Sequence, residues 1–171
     1  APTKTASTYF IIRTIMRSRT ANDPPTPRWT RHLVPLLLAW LLASVWGSVV
    51  QTQWNLQALL HVGVAIPMAE RARTTWQDLI GFAPVYAGIL AAGWLPALLV
   101  AAWVARRRPA WRGPLLAAAA GAGMVAAVRT VDAVAPMPVF IDATRHLPGL
   151  LAMAAGAVLG GLLYARLTAR R

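Results

Sequence analysis

Between Leu79 and Val104 the chain reads LIGFAPVYAGILAAGWLPALLVAAWV, 26 residues without one charge, and Arg106-Arg-Arg-Pro-Ala-Trp-Arg112 follows at once. At about 1.5 Å rise per residue such a run outreaches the ~30 Å hydrocarbon layer of a bilayer. It has no polar face to turn toward water, so lipid is its natural solvent.

Three more apolar runs lie outward from this one. Pro114–Ala135 follows the arginine loop closely, which makes the two runs an antiparallel hairpin. Leu33–Val50 lies toward the N-terminus and Leu147–Ala165 toward the C-terminus. The four runs hold 18, 26, 22 and 19 residues. The predicted fold is an all-α integral membrane protein with four transmembrane helices, at 33–50, 79–104, 114–135 and 147–165. Outer loops are expected at 51–78 and 136–146 and a cytoplasmic loop at 105–113. Residues 1–31 read as a basic cytoplasmic tail and 32–171 as a four-helix transmembrane domain.

Charge orients this arrangement. One side carries Lys4, Arg13, Arg17, Arg19, Arg28, Arg31, Arg106, Arg107, Arg108, Arg112, Arg166, Arg170 and Arg171 against Asp23. The other carries Arg71, Arg73, Arg129 and Arg145 against Glu70, Asp78, Asp132 and Asp142. The whole net charge of +12 therefore falls on one face. Basic loops stay in the cytoplasm, which predicts N-in, C-in. The anionic lipids of the cytoplasmic leaflet are expected partners of that face. A nucleic-acid interface is not expected, because the arginines flank apolar runs instead of forming one stripe. One Lys against sixteen Arg, with abundant Ala, reads as a GC-rich bacterial genome, and the membrane as the inner one.

Leu33–Val50 reads as an uncleaved first helix, since a secretory h-region of about 7–15 residues would be shorter and earlier. Met16 is read as a start position, with the first fifteen residues an upstream extension. Tyr9–Arg19 mixes apolar and basic residues and reads as a disordered tail, with a short helix on anionic lipid as the alternative.

The first outer segment has internal order. Gln53, Gln57 and His61 recur every four residues, and Ala69, Ala72, Trp76 and Leu79 share a stripe. This predicts an amphipathic interfacial helix that turns into the second span, with Asp78 as its cap. Pro84 and Pro96 each remove a backbone bond inside that span. Pro67-Met68 and Pro136-Met137 each precede a span, a faint internal echo.

Small residues at four-residue spacing mark helix contacts: Ala39, Ala43 and Gly47; Gly113, Ala117 and Gly121; Gly156 and Gly160. Small side chains let helix backbones approach in lipid.

The polar residues that could carry chemistry gather on the outer side. Arg129 and Asp132 lie one turn apart near the outer end of the third helix, where unpaired charge costs several kcal/mol. Asp142, Arg145 and His146 open the fourth helix. With His61, Glu70, Arg71, Arg73 and Asp78 they form a candidate outer cluster. It would hold an anionic headgroup, a quinone-like carbonyl or a polar solute, or else serve as ion pairs that pin the outer loops together; the second reading is adopted here. His61 and His146 are topologically able to share a haem, but no C-x-x-C-H or H-E-x-x-H supports one, so no cofactor is expected. There is no cysteine, no G-x-S-x-G and no phosphate loop. The expected function is therefore that of a small inner-membrane protein, non-catalytic, serving a larger membrane complex as accessory, assembly or scaffold subunit. The alternative is a small transporter or a lipid- or quinone-handling protein using the outer cluster.

Overall fold

The computed structural model describes residues 30–135 and 141–169. The basic tail except Thr30 and Arg31, the Tyr9–Arg19 stretch, Pro136-Met137 and the two terminal arginines lie outside them.

The described residues are helical and contain no strand. Helix α1 is Thr30–His61, α2 Met68–Ala105, α3 Arg112–Val134 and α4 Leu147–Leu167. Short 3-10 turns at Pro109–Trp111 and Asp142–Arg145 lead into α3 and α4. All four helices are long and apolar enough to cross a membrane.

The first two helices are longer than the apolar runs within them. α1 has 32 residues and α2 has 38, against 23 for α3 and 21 for α4. The segment 51–78 is thus mostly continuous helix, and only 62–67 connects α1 to α2. Met68–Asp78, expected as a helix turning into the second span, is helical and continuous with it, and residues 51–61 extend α1. The reason is local: residues 51–61 contain neither Gly nor Pro, so nothing ends the helix already running. Asp78 consequently lies well inside α2 and caps nothing; the N-cap position is Pro67.

α1 ends where the sequence first permits it. Gly63 takes φ of 85°, its N–H bonds the Leu60 carbonyl and the Val64 N–H reaches back to Leu59. This pair of bonds is a Schellman closure, and the left-handed residue at its centre favours glycine. Pro67 then presets the first turn of α2. α2 stays helical through Pro84 and Pro96, both on its exposed surface. α3 stops just before Pro136, which disfavours helical backbone in the residue ahead of it.

Within His32–Arg171 the helices pack in a ring, each contact built on a small residue. The Tyr86 ring of α2 fills the space over Gly47 of α1. Gly93 of α2 meets Gly123 of α3 so closely that a Cβ at Gly123 would stand 2.7 Å from the Gly93 carbonyl oxygen. Gly161 of α4 meets the Leu116 carbonyl and Ala120 of α3. Trp46 of α1 lies over Gly156 of α4, and a Cβ at Gly160 would stand 2.8 Å from the Ala39 carbonyl. Trp94, fully buried, reaches across the bundle from α2 to Gly160. Two indoles add directional ties: Trp40 donates to the Ala87 carbonyl at 3.0 Å and Trp46 to the Ala152 carbonyl at 2.8 Å.

Of the small residues singled out from spacing, Ala39, Ala43, Gly47, Ala117, Gly121, Gly156 and Gly160 are buried. Gly113 is only half-buried, and nothing lies within 4 Å of where its Cβ would be.

The outward faces differ in kind. α1 exposes Leu33, Val34, Leu37, Leu38, Leu41, Leu42, Val45 and Trp46. α3 exposes Ala118, Ala122 and Ala126 beside half-buried Leu115 and Val125, and Val134 is its one exposed large apolar side chain.

Candidate functional site

The polar residues concentrate at the end of the bundle where α1 turns into α2. They begin on α1, where Ser48, Gln51, Thr52 and Asn55 fall at helical spacing on one face. Ser48, Gln51 and Thr52 are buried. Buried polar groups are stable only when hydrogen-bonded, and each of these finds a partner.

The Thr52 hydroxyl stands 2.7 Å from Asp78 Oδ2 on α2 and 2.9 Å from the Ser48 carbonyl. The Ser48 hydroxyl donates to the Asp78 backbone carbonyl at 3.2 Å. Gln51 Oε1 accepts the Ala143 N–H at 2.9 Å, and Gln51 Nε2 donates to Asn55 Oδ1 at 3.4 Å. Ala143 belongs to the 3-10 turn ahead of α4, and its carbonyl occupies the space beside Gly149. Ile141, Ala143 and Thr144 are buried, so this turn is seated on the bundle end.

Beside this network lies an open groove of about 510 Å³ between Gln53 of α1 and the first turns of α2. Its polar floor is a relay: Gln53 Nε2 donates to Thr75 Oγ1 at 3.0 Å, and Thr75 donates to the Arg71 carbonyl at 2.8 Å. Met68, Ala72, Trp76 and Leu79 supply apolar walls and Arg71 also lines it, while the Arg71 Nε is itself buried without a hydrogen-bond partner.

The outer cluster expected from sequence divides. Arg129 and Asp132 approach to 4.0 Å across one turn of α3, with the arginine side chain 57% exposed and the aspartate 11%. Asp142 and Arg145 pair at 2.9 Å, also within one turn. Both pairs form within one turn; Gln51 ties the first outer segment to the second through Ala143, while Thr52 and Ser48 tie α1 to α2 through Asp78. Asp78 joins the α1 network. Arg71 joins the groove. Glu70, Arg73, His61 and His146 are exposed. Among the described residues no group of three or more His, Cys, Asp or Glu gathers to hold a metal ion.

Sequence reading overlooked the network on α1. Its signal was present: Ser44, Ser48, Thr52 and Asn55 form a polar stripe inside an apolar helix. It also overlooked Arg112. At the opposite end of the bundle Arg112 donates to the Ala165 carbonyl at 2.9 Å and to Thr168 Oγ1 at 2.6 Å, meeting the negative end of the α4 dipole. Arg107 instead lies over the Trp103 ring, 5.2 Å from its centroid.

Among the described residues, Ser44 donates to the Trp40 carbonyl and Ser48 to the Asp78 backbone carbonyl. Compared with known protein families, curated proteins and solved structures, the chain finds no match in any of the three.

Proposed function

We propose that this chain is a multi-pass protein of a bacterial inner membrane, with both termini cytoplasmic, and that it serves a larger membrane complex as a non-catalytic accessory, assembly or scaffold subunit. The placement is supported by the four apolar helices and by the gathering of net charge at the end that bears Arg106–Arg108. Residues 51–61 and 68–78 then extend roughly 16 Å past the apolar runs, to the outer headgroup level and beyond.

The observation that carries the subunit reading is the outward face of α3. Lipid chains fill space against leucine and alanine alike, but only small residues let a second helix backbone approach. α1 presents the leucine-rich surface that lipid solvates. α3 presents Ala118, Ala122 and Ala126 as exposed residues along the run, with Leu115 and Val125 half-buried beside them, a surface suited to a partner helix. The alternative, a transporter or lipid- or quinone-handling protein working through the outer Arg–Asp cluster, has less support, because the ion pairs Arg129–Asp132 and Asp142–Arg145 each form within one turn.

The test is co-purification from the native host in mild detergent. A defined partner chain is expected to accompany the wild type and to be lost from Ala122→Trp, while the variant still folds. A clean monomer with no accompanying chain would overturn the proposal.

A further inference from the structure

The loop that closes the α2–α3 hairpin carries Arg106, Arg107, Arg108 and Arg112. Arg112 is engaged inside the bundle by the Ala165 carbonyl and Thr168. The other three are exposed. Neither ion pair of the described residues uses them, and the described acids, Glu70, Asp78, Asp132 and Asp142, all stand toward the opposite end of the helices. Depth follows from α2. Asp78 and Arg106 bound its uncharged stretch and lie about 42 Å apart along the helix, which matches a bilayer of ~40–45 Å with its headgroups. Trp103 and Trp111, 58% and 59% exposed, flank the loop, as indoles do at the headgroup boundary. Arg107 reaches back over the Trp103 ring, 5.2 Å from its centroid. Its charge is thereby held at the level of the lipid phosphates. Stacking occupies the face of the guanidinium and leaves its N–H edge free for an anion.

We infer that this loop binds one phospholipid with two phosphates, of the cardiolipin class, from the leaflet on its own side. One phosphate meets the free edge of Arg107 beside Trp103, and the other meets the neighbouring arginines. Charge complementarity selects this occupant. Basic clusters just outside a span recognise anionic headgroups, and here three cations stand together with no acid among the described residues at their end of the bundle. The backbone also divides them. The N–H groups of Arg106, Arg107 and Arg108 reach back three residues, to the carbonyls of Trp103, Val104 and Ala105, at 3.2, 3.0 and 3.3 Å. Winding at about three residues per turn starts successive side chains roughly 120° apart. The charges therefore fan out around the loop, an arrangement that two linked phosphates answer better than one.

The site rests on the membrane placement proposed above, but on neither the subunit role nor the orientation. Recovery of the chain from the soluble fraction would sink the placement; a membrane-inserted chain without the lipid preference would sink the site alone. The experiment uses the full chain, purified in mild detergent and freed of lipid, titrated with cardiolipin, phosphatidylglycerol or phosphatidylcholine and read by native mass spectrometry. The wild type is expected to retain one cardiolipin about tenfold more tightly than phosphatidylglycerol, with phosphatidylcholine weaker still. Replacing Arg106, Arg107 and Arg108 together by Gln should lower cardiolipin retention about a hundredfold, and Arg107→Gln alone about fivefold. Arg73→Gln, an exposed arginine at the opposite end, should leave it unchanged, and excess inorganic pyrophosphate should not displace the lipid. Equal retention of cardiolipin and phosphatidylglycerol, equal losses in Arg107→Gln and Arg73→Gln, or displacement by pyrophosphate would each overturn the site. Should the triple variant fail to fold, Arg107→Gln decides alone, and undiminished retention there overturns the proposal equally.

Discussion

The Thr52 hydroxyl, 2.7 Å from the Asp78 carboxylate, ties α1 to α2 at the boundary of their apolar runs. The bond is charge-assisted, and the Thr52 side of it is buried. Removing the donor in Thr52→Val is expected to lower stability by about 1–2 kcal/mol. Asp78→Asn keeps an acceptor and should cost less than Asp78→Ala. A double-mutant cycle on thermal unfolding in detergent checks the pair: coupling near 1 kcal/mol is expected, and none at all would mean that water replaces the bond freely.

Gln51 holds the second outer segment in the same manner. Gln51→Leu preserves bulk but leaves the buried Ala143 N–H without its acceptor, an effect of about 1–3 kcal/mol. The loss should be local. Hydrogen exchange at Ala143 and Thr144 is expected to accelerate while the amides around Trp94 keep their protection. Uniform acceleration would show that Gln51 supports the whole bundle instead.

Glycines that look alike in sequence should respond with opposite sign. A methyl at Gly123 meets the Gly93 carbonyl and Ala97, so Gly123→Ala should destabilise by about 1–3 kcal/mol through overpacking. Gly113 is helical with open space around it, so Gly113→Ala should stabilise by about 0.5–1 kcal/mol. Thermal midpoints of the two variants, measured side by side, check the sign.

The spans were legible because lipid imposes one strong demand, a long uninterrupted apolar helix, and composition alone reports it. The register of small residues was legible in part: Gly47, Gly156 and Gly160 stand at close contacts, while Gly113 has the same spacing and no neighbour. Spacing shows which residues share a face; it does not show what the face meets. The same limit applies to Asp78. Its place ahead of an apolar run looked like a cap, but capping depends on where the helix begins, and Met68 had already begun it. The outer cluster was assembled on shared topology, whereas ion pairs form between the nearest charges, and those were one turn away. The groove needed two helices side by side, so nothing local announced it, although Arg71 and Trp76 were both in view.

Arg112 differs from the arginines around it. It bridges α3 to the C-terminal turn of α4 through Ala165 and Thr168, whereas Arg107 lies on the Trp103 ring. Arg112→Ala is therefore expected to lower stability by about 1–2 kcal/mol through the lost charged bonds and dipole contact. Arg107→Ala should change it by only a few tenths. Equal effects would mean that Arg112 acts only as one more basic residue of its loop.

Orientation can be read cleanly because the sequence holds no cysteine, so a single introduced thiol reports one position. Val62 lies in the α1–α2 connection and Ala110 in the arginine loop, both exposed. With the basic loop cytoplasmic, Val62→Cys is expected to react with a membrane-impermeant maleimide in intact spheroplasts, and Ala110→Cys only after permeabilisation. The driving asymmetry can be tested in the same cells. Replacing Arg106, Arg107 and Arg108 by Gln removes part of the bias without touching the Arg112 clamp, and a mixed labelling pattern is expected. If Ala110→Cys labels first in the parent sequence, the N-in, C-in proposal is reversed, and the groove at Arg71 would face the cytoplasmic leaflet.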